Sequence, residues 1–104
     1  MDVIRKLKWT ETAIKQRNNV FEYWNYTNKS NSYSKKLNLK IKERIAILKS
    51  FPELGIATDF FNTRVLYVSY YSILYQFSEN YIIINGFWDN RQDDNKLLDF
   101  LKNV

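Results

Sequence analysis

The chain has 104 residues, enough for one domain and one core, here expected to span residues 1–104. It has no cysteine and no histidine, which excludes disulfides and a conventional structural zinc site and removes the commonest general base near neutral pH. Net charge is +5 but unevenly placed: residues 1–50 hold twelve Lys/Arg against four Asp/Glu, and residues 51–104 hold four against seven. The first half therefore suits an acidic protein or nucleic acid as partner, or a solvated basic face.

Residues 3–9 alternate, with Val3, Arg5, Leu7 and Trp9 set against Ile4, Lys6 and Lys8, which predicts a short edge strand. The segment has no apolar leader, and no stretch reaches the ~18 apolar residues of a membrane span, so a cytoplasmic protein without membrane association is expected. Thr10 is a good N-cap, Glu11 suits the first turn, and Trp9 and Ile14 occupy the positions of a hydrophobic staple. A helix follows, with Ala13, Val20, Phe21 and Trp24 on its core face.

Asn, Ser and Thr dominate Asn25 to Ser34, where a break is expected, with Ser32 or Ser34 capping a second helix. Leu37, Ile41, Ile45 and Leu48 give that helix one buried side, and Lys35, Lys36, Lys40, Lys42, Arg44 and Lys49 decorate the rest. The two helices form an αα-hairpin. Phe51-Pro52-Glu53-Leu54-Gly55 ends it, because proline bars continuation and glycine can take a left-handed turn. Ile56 to Thr63 reads as loop or irregular edge strand.

Three runs dense in Val, Ile, Tyr and Phe then predict strands at Arg64 to Val68, Tyr71 to Phe77 and Tyr81 to Trp88. In the middle run, Tyr71, Ile73, Tyr75 and Phe77 share the face turned to the helices, leaving Ser72, Leu74 and Gln76 on a partly open side. The last run is apolar on both sides and should be central or well covered, with Ser78-Glu79-Asn80 as its hairpin turn. Asp93-Asp94-Asn95 predicts the cap of a short helix over residues 96–103. The fold class is α+β: a two-helix hairpin on one face of a twisted, mostly antiparallel sheet, in the order β-α-α-β-β-β with a short C-terminal helix.

No phosphate-binding glycine loop, Ser/His/Asp set or metal-ligand cluster is present, and no cofactor or metal is expected. The ordered series Pro52-Glu53-Leu54-Gly55, Arg64-Val65-Leu66, Tyr71-Ser72-Ile73-Leu74-Tyr75 and Phe87-Trp88-Asp89-Asn90-Arg91-Gln92 resembles the RelE/ParE superfamily of toxins from type II toxin-antitoxin systems. The resemblance runs from Trp9 to about Leu97. It implies a growth-inhibiting toxin neutralised by a cognate antitoxin, acting either on DNA gyrase or as an mRNA interferase on the ribosome.

The resemblance also implies site residues. Arg64 and Arg91 match parts of the ribonuclease members' basic cluster and are the candidate catalytic or target-contacting groups. Two expected groups are missing, since Ser72 stands where those members carry an arginine and Leu97 where they carry a tyrosine. The acidic sheet half agrees with that departure, because RNA cleavage needs cations around the phosphate. The ParE-like branch, acting by binding, is therefore favoured; an inactive antitoxin-binding relative is a further alternative. Lys35, Lys36 and Lys40 are the candidate antitoxin contacts, on the basic helical half. Read structurally instead, Arg64 would pair with Asp59 or Glu79, and Arg91 would form a salt-bridge hub with Asp89 and Asp93.

Overall fold

The computed structural model describes residues 4–91. Its elements run β1 (Lys6–Trp9), α1 (Glu11–Asn28), α2 (Ser32–Leu48), β2 (Ile56–Ala57), β3 (Arg64–Val68), β4 (Tyr71–Phe77) and β5 (Tyr81–Asp89). The strands form one sheet in the order β1-β5-β4-β3-β2, with β1 parallel to β5 and every other pair antiparallel. This is the expected α+β arrangement with one added strand: Ile56 and Ala57 pair with Val65 and Arg64 at the far edge. The expected helix over residues 96–103 lies outside the described residues.

Both helices pack on the same face. Ala13 from α1 and Leu37, Ile41, Ile45 and Leu48 from α2 meet Leu66, Val68, Tyr71, Ile73, Tyr75, Ile82, Ile84 and Phe87 in one buried cluster. Burying a side chain of this size contributes roughly 1.5–3 kcal/mol, so the hairpin is held mainly by this apolar seam. The opposite face is less open than its polar residues suggested: Ser72 and Leu74 are buried and only Gln76 is partly exposed. Ser72 tolerates burial because its hydroxyl donates to Asn90 Oδ1 at 2.6 Å.

Thr10 caps α1 as expected, its side chain accepting the Ala13 amide at 3.2 Å. The break between the helices comes later and is shorter than composition implied, for α1 continues through Asn25 to Asn28 and ends where Lys29 adopts φ 52°. Ser34 does not cap α2. It lies buried inside the helix, where its hydroxyl reaches the Phe21 carbonyl at 3.0 Å and Asn25 Oδ1 at 2.6 Å, tying the two helices together. Ser32 opens α2, and Asn31 stands at the N-cap position without a side-chain capping bond.

One irregularity sets the geometry of the last strand. Leu74 pairs with Gly86 but Tyr75 pairs with Ile84, leaving Asn85 without an opposite residue. Strict alternation after Ile82 and Ile84 would turn Gly86 to the helices; the bulge turns Phe87 there instead, stacked on Tyr71 at 5.1 Å. Asp89, two residues on, shares that face opposite Tyr71. The Gln16 side chain accepts the Phe87 amide at 2.9 Å and pins α1 beside the bulge.

Candidate functional site

Two tyrosines of β4 on the helix-facing side each stand beside one arginine, Tyr71 in contact with Arg91 and Tyr75 opposite Arg64 in the sheet. Tyr71 and Tyr75 stand four residue steps apart, about 13 Å along the sheet.

At the first position, the Tyr71 hydroxyl accepts Trp24 Nε1 at 2.8 Å and Arg91 Nη2 at 3.4 Å. Arg91 is clamped by Asp89 through Nε to Oδ1 at 2.9 Å and Nη2 to Oδ2 at 2.7 Å, while its own amide donates to the same Oδ1. Its guanidinium lies 5.5 Å from the Trp24 ring, 5.4 Å from Tyr70 and 5.9 Å from Tyr71, distances at which cation and ring face attract. The Arg91 side chain is 47% exposed and that of Asp89 18%, so this ion pair sits at the mouth of a cavity rather than in the core. The cavity holds about 440 Å³ between α1 and the end of β5, with Val20, Tyr23, Trp24, Phe87 and Trp88 among its walls and Gln16 and Asn19 on its rim.

The electrostatics of this position disfavour proton transfer. The hydrogen bonds from Arg91 hold the Asp89 carboxyl below the usual carboxylate range, and Asp89 in turn raises the Arg91 pKa. Burial pushes the Tyr71 phenol up. Neither group accepts a proton readily near neutral pH. Among the described residues no three His, Cys, Asp or Glu side chains come together to hold a metal ion.

At the second position, the Tyr75 hydroxyl accepts the Gly55 amide at 2.8 Å and donates to the Pro52 carbonyl at 2.7 Å. Arg64 Nη1 donates to the Gly55 carbonyl at 2.7 Å and to that of Glu53 at 3.3 Å. Arg64 thus pairs with neither Asp59 nor Glu79; it fastens the turn after α2. The Gly55 backbone is not left-handed, contrary to the turn conformation expected from sequence. Its need is space: a Cβ would come within 2.5 Å of the Tyr75 hydroxyl and 2.8 Å of the Val65 carbonyl. Burial raises the Tyr75 phenol pKa as well.

The sequence-derived candidates are therefore dispersed. Arg64 and Arg91 lie at opposite ends of β4 and form no common cluster. Arg91 does join Asp89, whereas Asp93 lies outside the described residues. Lys35, Lys36 and Lys40 lie exposed on α2, and Lys36 and Lys40 face the turn between β3 and β4. Trp24 and Tyr71 read in sequence first as core aromatics, and their contact joins residues 47 apart in the chain. Helical periodicity puts Trp24 on the buried side of α1, but no local signal names its partner.

No family model matches the chain, and no curated protein matches it in sequence. In structure, 81% of it aligns with 94% of a chain from the solved "Chromosomal ParDE TA system from P. aeruginosa", with a TM-score of 0.68 and 17% sequence identity. The two chains share a fold. Among the described residues no helix is long and apolar enough to cross a membrane.

Proposed function

We propose that this chain is the growth-inhibiting toxin of a type II toxin-antitoxin system, neutralised by a cognate antitoxin and acting, in the manner of the ParE branch, by inhibiting DNA gyrase in the cytoplasm. The observation that carries the reading is the shared fold with nearly the whole of the ParDE chain, together with the ordered sequence motifs that resemble the RelE/ParE superfamily.

The state of the two arginines supports binding over RNA cleavage. Stabilising charge on a phosphate in the transition state requires cations aimed at the reacting group. Here Arg91 is neutralised by Asp89, Arg64 is committed to two backbone carbonyls, and the position after Tyr71 is a buried serine bonded to Asn90. A protein target suits the first position better, because its aromatic walls and half-exposed arginine resemble the anchors that dominate protein interfaces. The exposed cations of α2, including Lys35, Lys36 and Lys40, are left for an acidic antitoxin.

The test is pulse incorporation of labelled thymidine and labelled methionine within minutes of inducing the chain. DNA synthesis failing first is the expected result. Protein synthesis failing first assigns the ribosome and mRNA as target, and unimpeded growth at high expression removes the toxin reading.

A further inference from the structure

The cavity between α1 and the end of β5 has a surplus of hydrogen-bond donors. Tyr71 lines it, is 0% exposed, and accepts two hydrogen bonds, from Trp24 Nε1 at 2.8 Å and from Arg91 Nη2 at 3.4 Å. Among the described residues its own hydroxyl proton has no acceptor. Burial raises the phenol pKa, so that proton stays in place near neutral pH. A buried hydroxyl that accepts twice and donates nowhere leaves one donor to be matched from outside the chain.

Gln16, on the rim, repeats the pattern. Its Oε1 accepts the Phe87 amide at 2.9 Å, which fixes the orientation of the side-chain amide and leaves Nε2 without an acceptor among the described residues. At the mouth, Asp89 already accepts three N–H groups of Arg91, so the local carboxylate is engaged. Shape and charge then narrow the occupant. About 440 Å³ lies within the usual range of small-molecule sites, ~300–1,000 Å³, and Tyr23, Trp24, Phe87 and Trp88 supply ring surface. The Asp89–Arg91 pair is neutral as a unit, so an anion entering the cavity would lose hydration without meeting an uncompensated cation. A neutral carbonyl oxygen meets the free donors at a far smaller desolvation cost.

We propose that this cavity is a binding site for a small, neutral, planar aromatic molecule that carries a carbonyl oxygen, such as a lactam or an aryl amide. The rings of the ligand lie among Tyr23, Trp24 and Trp88, and its polar edge meets the Tyr71 hydroxyl and Gln16 Nε2. Nucleotides are disfavoured, because a phosphate at the mouth meets the Asp89 carboxylate. The site goes beyond the toxin reading and does not rest on it.

The experiment titrates four compounds into the isotope-labelled full chain near neutral pH and follows amide and indole N–H shifts by NMR. Carbostyril is a neutral two-ring lactam, indole a two-ring donor without a carbonyl, naphthoate an anion of similar size, and uridine monophosphate a nucleotide. Carbostyril is expected to bind with saturable shifts at the Trp24 indole and the Gln16 side-chain amide, about fivefold more tightly than indole and more tightly than either anion. Tyr71→Phe should weaken carbostyril about fivefold and leave indole unchanged. Gln16→Glu keeps an acceptor for the Phe87 amide but removes the donor, and should weaken carbostyril by a similar factor even if Tyr71→Phe does not fold. Tyr23→Ala, at an exposed wall position, should weaken both carbostyril and indole. No saturable binding of carbostyril up to its solubility limit overturns the proposal, as do equal affinity for indole, tighter binding of naphthoate or the nucleotide, and shifts confined to residues outside the cavity. Retained carbostyril affinity in every folded variant overturns it as well. None of these readings uses growth, so failure of the site and failure of the toxin reading are separable.

Discussion

The Tyr75 hydroxyl is the hinge pin of the turn at Gly55: it accepts the Gly55 amide at 2.8 Å and donates to the Pro52 carbonyl at 2.7 Å, from a fully buried position at the centre of the sheet. A phenol in the core therefore fixes the path of the chain between α2 and β2. Tyr75→Phe keeps the ring but leaves a buried amide and a carbonyl without their partner, and should cost about 1–3 kcal/mol in urea unfolding.

The same contact makes Gly55 hard to replace. An alanine Cβ would overlap the Tyr75 ring and hydroxyl and the Val65 carbonyl, and the carbonyl belongs to a paired strand that cannot retreat cheaply. Gly55→Ala should destabilise by about 1–3 kcal/mol, the usual range for overpacking, measured by the same unfolding curves.

The Asp89–Arg91 pair gives a pH signature. Because the folded Asp89 carboxyl titrates below its ordinary value, its contribution is fully present above the unfolded pKa of about 4 and is lost as pH falls through the lower, folded pKa. Asp89→Asn should therefore cost about 0.5–1 kcal/mol at pH 7, the scale of a partly exposed pair, and the difference from the parent chain should narrow at an acid pH below the ordinary carboxylate range. Equilibrium unfolding at both pH values checks it.

The two arginines should separate in function. Arg91 stands half-exposed at the cavity mouth, so Arg91→Ala is expected to weaken growth arrest while changing stability by under about 1 kcal/mol. Arg64→Ala should lower stability by about 1–2 kcal/mol through its lost carbonyl bonds and affect arrest less. Paired growth curves and denaturation curves decide; arrest retained in both variants and in the double variant would make both arginines structural.

What was legible in the sequence is what repeats locally. Thr10 before the apolar period fixed the start of α1, the four-residue spacing from Leu37 to Ile45 fixed the buried side of α2, and the β-branched and aromatic runs fixed β3, β4 and β5 with their short turns. Even the interior place of β5, paired on both sides by β1 and β4, followed from its apolar residues on both faces.

Only tertiary structure decided the rest, because those features depend on groups far apart in the chain. Composition placed the interhelical break at Asn25, yet a hydrogen bond to Ser34 lets Asn25 remain helical. The bulge at Asn85, which strict alternation conceals, turns Phe87 toward the helices and aligns Asp89 with Tyr71. Arg64 and Arg91 carry the same charge and bracket the same run of three strands in sequence. Folding gives one to the backbone of a turn and the other to a carboxylate at a cavity mouth, since a guanidinium's role is set by the acceptors that packing brings within about 3 Å of it.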